Sequence, residues 1–88
     1  MKIIFDPFKD AVNIDKHGIS LAMAEEFEWE EAVTWPDIRY DYREFRIIGL
    51  GYIGDRLYNM VFVDRGEERP IVSLGKANQR EVKRYAQT

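Results

Sequence analysis

Glu44-Phe45-Arg46-Ile47-Ile48-Gly49-Leu50-Gly51-Tyr52-Ile53-Gly54-Asp55-Arg56-Leu57-Tyr58-Asn59-Met60-Val61-Phe62-Val63-Asp64 holds two runs of β-branched and aromatic residues on either side of Gly54-Asp55. Such runs suit pleated, half-buried strands, and a Gly-Asp pair between them signals a two-residue hairpin of type I′ or II′. The spacing predicts strands over Glu44–Tyr52 and Arg56–Asp64. Gly49 and Gly51 within the first run mark a bulge or a close backbone approach. On the C-terminal side, Arg65-Gly66-Glu67-Glu68 reads as a second turn, followed by a strand around Arg69–Leu74 and a closing helix over Ala77–Tyr85. On the N-terminal side, Ala32–Trp35 is a short strand stopped by Pro36-Asp37, and Asp37–Tyr42 is mostly loop.

Before the strands, the punctuation is helical. Met1–Phe5 reads as a short strand, then Asp6 as N-cap and Pro7 as the first helical residue. Phe8, Ala11, Val12 and Ile14 form an i, i+3, i+4 stripe expected to face the core, and Gly18 ends the helix in the left-handed position that glycine takes without steric cost. Ser20 is a natural N-cap for a second helix from Leu21 to about Trp29, with Leu21, Ala24 and Phe27 on one face. The order β-α-α-β-β-β-β-α predicts an α+β fold. It comprises an antiparallel β-meander of three to four strands, an N-terminal helical hairpin and a C-terminal helix, with the helices on one face. Residues 1–88 are expected to form one domain.

Composition narrows the function classes. Hydrophobic residues make up 45% and aromatic residues 14% of the chain, enough large anchors for a folded core and against disorder. There is no cysteine, so neither a disulfide framework nor a thiolate metal site is available. No apolar run is long enough for a signal peptide or a membrane span, so a soluble, cytoplasmic protein is expected, with no membrane partner. Residues 1–44 carry five Lys/Arg against eleven Asp/Glu, whereas residues 45–88 carry eight against five. Only the second half offers phosphates a favourable overall field.

Three groups have the chemistry of a site. His17 is the only histidine, and histidine changes charge near neutral pH, which suits proton transfer. The alternative is a helix-capping histidine beside Lys16. Glu44 and Arg46 project to one side of a strand, as a carboxylate base beside a phosphate-steadying guanidinium or as a solvated salt bridge. Lys76, Arg80, Lys83 and Arg84 follow at i, i+4, i+7 and i+8, which is one helical face. The strand-to-helix junction beside them adds free backbone N–H groups, so the segment either grips an RNA backbone or is a solvated face. No His-x-x-x-His, EF-hand or P-loop pattern occurs, and no metal or other cofactor is expected.

In order and spacing, Phe5-Asp6, Asn13-(x)2-Lys16-His17-Gly18-Ile19-Ser20, Asp37, Arg39, Asp41-Tyr42-Arg43-Glu44-x-Arg46, Gly49, Ile71-Val72-Ser73 and Lys76-Ala77-Asn78-x-Arg80-Glu81-x-x-x-Tyr85 resemble the BrnT family of type II toxins over nearly the whole chain. The resemblance implies a RelE-like α+β fold and metal-independent RNA cleavage. It also implies neutralisation by a BrnA-type antitoxin whose DNA-binding module brings the complex to its own promoter, so that DNA is met only indirectly. Under this resemblance, His17 and Glu44 take acid and base work. Arg46, Lys76 and Arg80 stabilise phosphorane charge, and Lys16, Lys83, Arg84 and Tyr85 contact RNA. The chain departs from the family where a strand usually ends in Ile-Ser-Ala-Arg: Gly75 stands in place of that arginine, and Pro70 in place of the arginine that opens the motif. The departure bears on catalytic strength rather than fold, and leaves a second reading, a catalytically weak or inactive module that docks an antitoxin for autorepression.

Overall fold

The computed structural model describes residues 1–88. Its elements run β1 (Lys2–Ile4), α1 (Pro7–His17), two 3₁₀ segments (Leu21–Glu26 and Trp29–Glu31), β2 (Val33–Pro36), β3 (Arg46–Ile53), β4 (Arg56–Val63), β5 (Glu68–Lys76) and α2 (Gln79–Ala86). The hairpin forms where the sequence places it: β3 and β4 pair antiparallel with Ile53 opposite Arg56, and Gly54 turns the chain at φ 63°. β2 to β5 form the expected meander, but the sheet has five strands and is mixed, in the order β1-β5-β4-β3-β2. β1 lies parallel to β5, Ile3 opposite Arg69, which corrects the all-antiparallel expectation. The parallel pairing is open to β1 because nearly the whole chain separates it from β5, far more than a crossover needs.

The second arm of the predicted helical hairpin is not an α-helix. Leu21, Ala24 and Phe27 recur every third residue, and a 3₁₀ helix of about 3.0 residues per turn stacks that spacing on one face. All three are buried against Met60, Phe62, Ile71 and Leu74 on one face of the sheet. Gly51 makes this packing possible, since a Cβ there would lie 2.5 Å from Phe27 Cζ. The opposite face, carrying Ile48, Leu50, Leu57, Val61 and Val63, is also buried. Strand alternation puts Trp35, Tyr52 and Asn59 on it. α2 docks there: the Arg84 guanidinium sits 3.7 Å from the Trp35 ring, Tyr85 meets Tyr52 edge-on at 5.5 Å, and Asn59 donates a hydrogen bond to Glu81. The helical segments therefore cover both faces rather than one, and each face finds an apolar cover.

α1 reverses its predicted orientation. Asp6 caps it as expected, accepting a hydrogen bond from Phe8 N–H at 2.8 Å, and Gly18 closes it at φ 71°. Yet Phe8 is 85% and Val12 60% exposed, and the only buried residue of the helix is Asn13. The cause lies in β5. β1 pairs it only at Glu68–Pro70, which leaves Leu74 on an open edge. The Asn13 amide fills that gap as a strand would: Oδ1 accepts from Leu74 N–H at 3.1 Å, and Nδ2 donates to Leu74 C=O at 2.8 Å and Ile19 C=O at 2.9 Å. Satisfying buried backbone groups outweighs burying one apolar stripe, because each group left unpaired costs about 1–3 kcal/mol. Asp10 then ties α1 to the first 3₁₀ segment, its Oδ1 accepting from Ser20 Oγ and Leu21 N–H.

The 37–45 connection is held by Asp37, whose carboxylate is buried beneath Arg39. Arg39 Nε donates to Oδ1 and Nη2 to Oδ2, each at 2.8 Å. That fork holds the Asp37 carboxyl down at about 2 and raises the Arg39 guanidinium above its ordinary value.

Replacing Asn13 with Ala removes both partners of Leu74, and urea denaturation is expected to show a loss of about 2–4 kcal/mol; an unchanged midpoint would contradict the edge-pairing role. The Asp37 carboxyl titrates lower in the folded than in the unfolded chain. Its stabilisation is therefore full above about pH 5 and disappears as pH falls through about 2. Asp37→Asn should flatten the acid limb of a melting-temperature-versus-pH profile while leaving its alkaline limb unchanged.

Candidate functional site

The last turn of α1 carries Lys16 and His17 over β5. The side chain missing at Gly75 leaves the space that the imidazole fills, for a Cβ at 75 would lie 2.8 Å from His17 Nδ1. The departure at Gly75 is thus the seat of His17. Two cavities meet at this ring. The larger, of ≈ 380 Å³, runs between α1 and the sheet and is lined by Phe8, Lys9, Val12, Asn13, Lys16, His17, Arg46, Val72 and Ser73. The smaller, of ≈ 230 Å³, is lined by His17, Arg39, Asn59, Val61, Ser73, Gly75, Lys76 and Glu81. Lys16 and His17 thus share the larger cavity with Arg46, whereas Lys76, which alternation puts on the Leu74 face of β5, lines only the smaller one.

Arg46, the first residue of β3, is fixed from two sides. Its Nε donates to Glu44 Oε2 at 3.0 Å, and its guanidinium carbon lies 4.0 Å from the centroid of the Tyr42 ring. No other hydrogen bond or ion pair within the chain engages its guanidinium. Glu44 also lies 3.5 Å from Arg65 Nη2 and faces a neighbouring groove rather than the cavity that holds His17.

The C-terminal group separates. Lys76 is the last residue of β5, not part of a helix, and α2 begins at Gln79 rather than Ala77, so the single face of Lys76, Arg80, Lys83 and Arg84 does not form. Arg80 and Lys83 are exposed on α2 away from both cavities, Arg84 stacks on Trp35, and Tyr85 donates its hydroxyl to Glu31 C=O at 3.1 Å. Two of the junction N–H groups, those of Asn78 and Glu81, are also committed. Asn78 Oδ1 accepts from Glu81 N–H at 2.8 Å, and Glu81 Oε1 accepts from Asn78 N–H at 2.9 Å, a reciprocal capping box. The Glu81 carboxylate therefore occupies the start of α2.

Arg39, Asn59 and Glu81 enter the smaller cavity without having been singled out as site residues. Asp37-x-Arg39 holds a visible signal, a carboxylate two residues before a guanidinium, but Asn59 is an unremarked polar position in a strand. No group of three or more His, Cys, Asp or Glu side chains is arranged to hold a metal ion, and no helix is long and apolar enough to cross a membrane.

Comparison with known proteins adds three findings. The chain is similar to the Brucella abortus ribonuclease toxin BrnT, whose crystal structure at 1.1 Å superposes with a TM-score of 0.71 at 29% identity, covering 90% of this chain and 99% of that one. A search of curated proteins returned no match. The family described as "Ribonuclease toxin, BrnT, of type II toxin-antitoxin system" matches residues 5–81. With its likeness running from Phe5 to Glu81, through α1, strands β2 to β5 and the start of α2, this chain belongs to the BrnT family of ribonuclease toxins of type II toxin–antitoxin systems.

Proposed function

We propose that this chain cleaves RNA without a metal ion, using the cleft between α1 and the sheet as its active site. The observation that carries the reading is the convergence of His17, Lys16 and Arg46 in a cavity whose lining holds no carboxylate, in a chain of net charge −3. A phosphodiester in that cleft meets cations on both walls. In the reaction, the ribose 2′-oxygen attacks phosphorus and the 5′-oxygen leaves, giving a cyclic phosphate and a 5′-hydroxyl. The step needs a proton removed from one oxygen, a proton delivered to the other, and charge held on the phosphorane. His17 handles the proton, since its ring makes no hydrogen bond within the chain and stands at the meeting of the two cavities. Arg46 holds the phosphorane charge, whereas Lys76, on the opposite face of the sheet at the far end of β5, adds to the field without reaching the same phosphate. Glu44 serves by fixing Arg46, while Arg80 and Lys83 add exposed charge that draws RNA towards α2's side of the molecule.

On this reading the protein is a cytoplasmic, RelE-like toxin that arrests growth and is neutralised by a BrnA-type antitoxin, meeting DNA only through that complex. The acidic run Glu25–Glu31 follows α1 on the sheet face away from Arg46 and Ser73, and it suits basic elements of such a partner.

Arg46→Ala is expected to lower single-turnover RNA cleavage by at least about a hundredfold while leaving the thermal midpoint within a few degrees. Gly75→Ala should also depress cleavage, by pushing the imidazole off β5. Full activity in Arg46→Ala would remove the cleft from the mechanism.

A further inference from the structure

α1 shows solvent what a soluble helix ordinarily hides. Phe8 and Val12, one turn apart, are 85% and 60% exposed, and both line the larger cavity beside Lys9, Lys16, His17 and Arg46. Folding does not explain the phenylalanine: the capping of α1 by Asp6 uses the Phe8 backbone N–H and leaves its ring free. An exposed aromatic ring on a carboxylate-free cationic cleft is the arrangement that holds unpaired nucleic acid, with phosphates tracked by cations and bases stacked on the ring. A protein-docking face is built differently, because the centre of such an interface is depleted of charged residues. Here three apolar side chains, Phe8, Val12 and Val72, stand among Lys9, Lys16, His17 and Arg46.

We propose that Phe8, with Val12 beside it and Lys9 next in sequence, forms a base-stacking subsite for an unpaired RNA nucleotide flanking the phosphate held at Arg46 and His17. The proposal rests on the reading of this cleft as the RNA site. The Phe8 ring takes the face of the base, the Val12 methyl groups close one side, and the Lys9 ammonium meets the adjoining phosphate. Every base presents a π-face, so the subsite adds affinity while discriminating little between sequences.

The test uses the whole protein and a short, fluorescein-labelled, 2′-O-methylated single-stranded RNA of random sequence, in which the attacking hydroxyl is blocked. Binding is followed by anisotropy across a salt series. Phe8→Leu keeps the apolar bulk but removes the aromatic face, and is expected to weaken binding by about five- to a hundredfold without changing the salt slope. Phe8→Trp should restore it. Lys9→Ala should instead lower the salt slope by about 0.7. Undiminished binding by Phe8→Leu, with Arg46→Ala weakened, overturns the subsite and spares the cleft. Failure of the unaltered protein to bind the probe, or indifference to Arg46→Ala, overturns the RNA reading and the subsite with it. A Phe8→Leu variant that binds RNA normally but loses its grip on the antitoxin would overturn the subsite and assign the ring to the partner protein.

Discussion

The pairing of the Asn13 amide with the backbone of Leu74 is the constraint on which the rest of the molecule turns. β5 sits inside the sheet, but its neighbour β1 covers only the first part of its length. Beyond that point a helix, which has no free backbone to offer, packs against the open edge. One carboxamide has both a donor and an acceptor, and at Asn13 it reproduces a strand's contribution to Leu74. The helix is thereby locked in rotation as well as position. One turn later, His17 falls on the second face of β5, where only a glycine leaves room for it. Phe8 and Val12, on the flank of the same helix that borders the larger cavity, are left open to solvent.

The β3–β4 hairpin, the Asp6-Pro7 start and the Gly18 stop of α1 are legible because each is a local decision made by a few residues. The orientation of α1 is not legible in that way. Its apolar stripe is genuine, but an unpaired backbone sixty-one residues away competes for the same helix face and wins. The 3₁₀ geometry of Leu21–Glu26 lies between these cases. The spacing of Leu21, Ala24 and Phe27 is visible in the sequence, yet a period of three resembles the i, i+3 steps of an α-helix until Phe27 is seen packed over Gly51.

The candidate site divides along the same line. His17 and Arg46 could be singled out by residue type, and Lys16 by its place beside His17. Their convergence required the sheet, because α1 and β3 bring them from two distant parts of the chain to a cavity floored by Val72 and Ser73 of β5. The C-terminal signature Lys76-Ala77-Asn78-x-Arg80-Glu81 reads as one basic element, but folding splits its labour. Lys76 ends a strand at the cavity, whereas Asn78 and Glu81 are spent on capping α2. Overall charge misleads for a related reason: the acidic residues that dominate residues 1–44 lie outside the lining of the larger cavity, whose ionisable side chains are all basic.

The central claim is that RNA lies between α1 and the sheet, over His17 and Arg46. Backbone and side-chain NMR shifts, recorded while a non-cleavable single-stranded RNA is titrated into the whole protein, test it most directly. The account predicts saturable changes concentrated at Lys16, His17, Arg46 and Ser73, with α2 beyond Glu81 little affected. Changes centred on Arg80 and Lys83, with His17 and Arg46 silent, would contradict it.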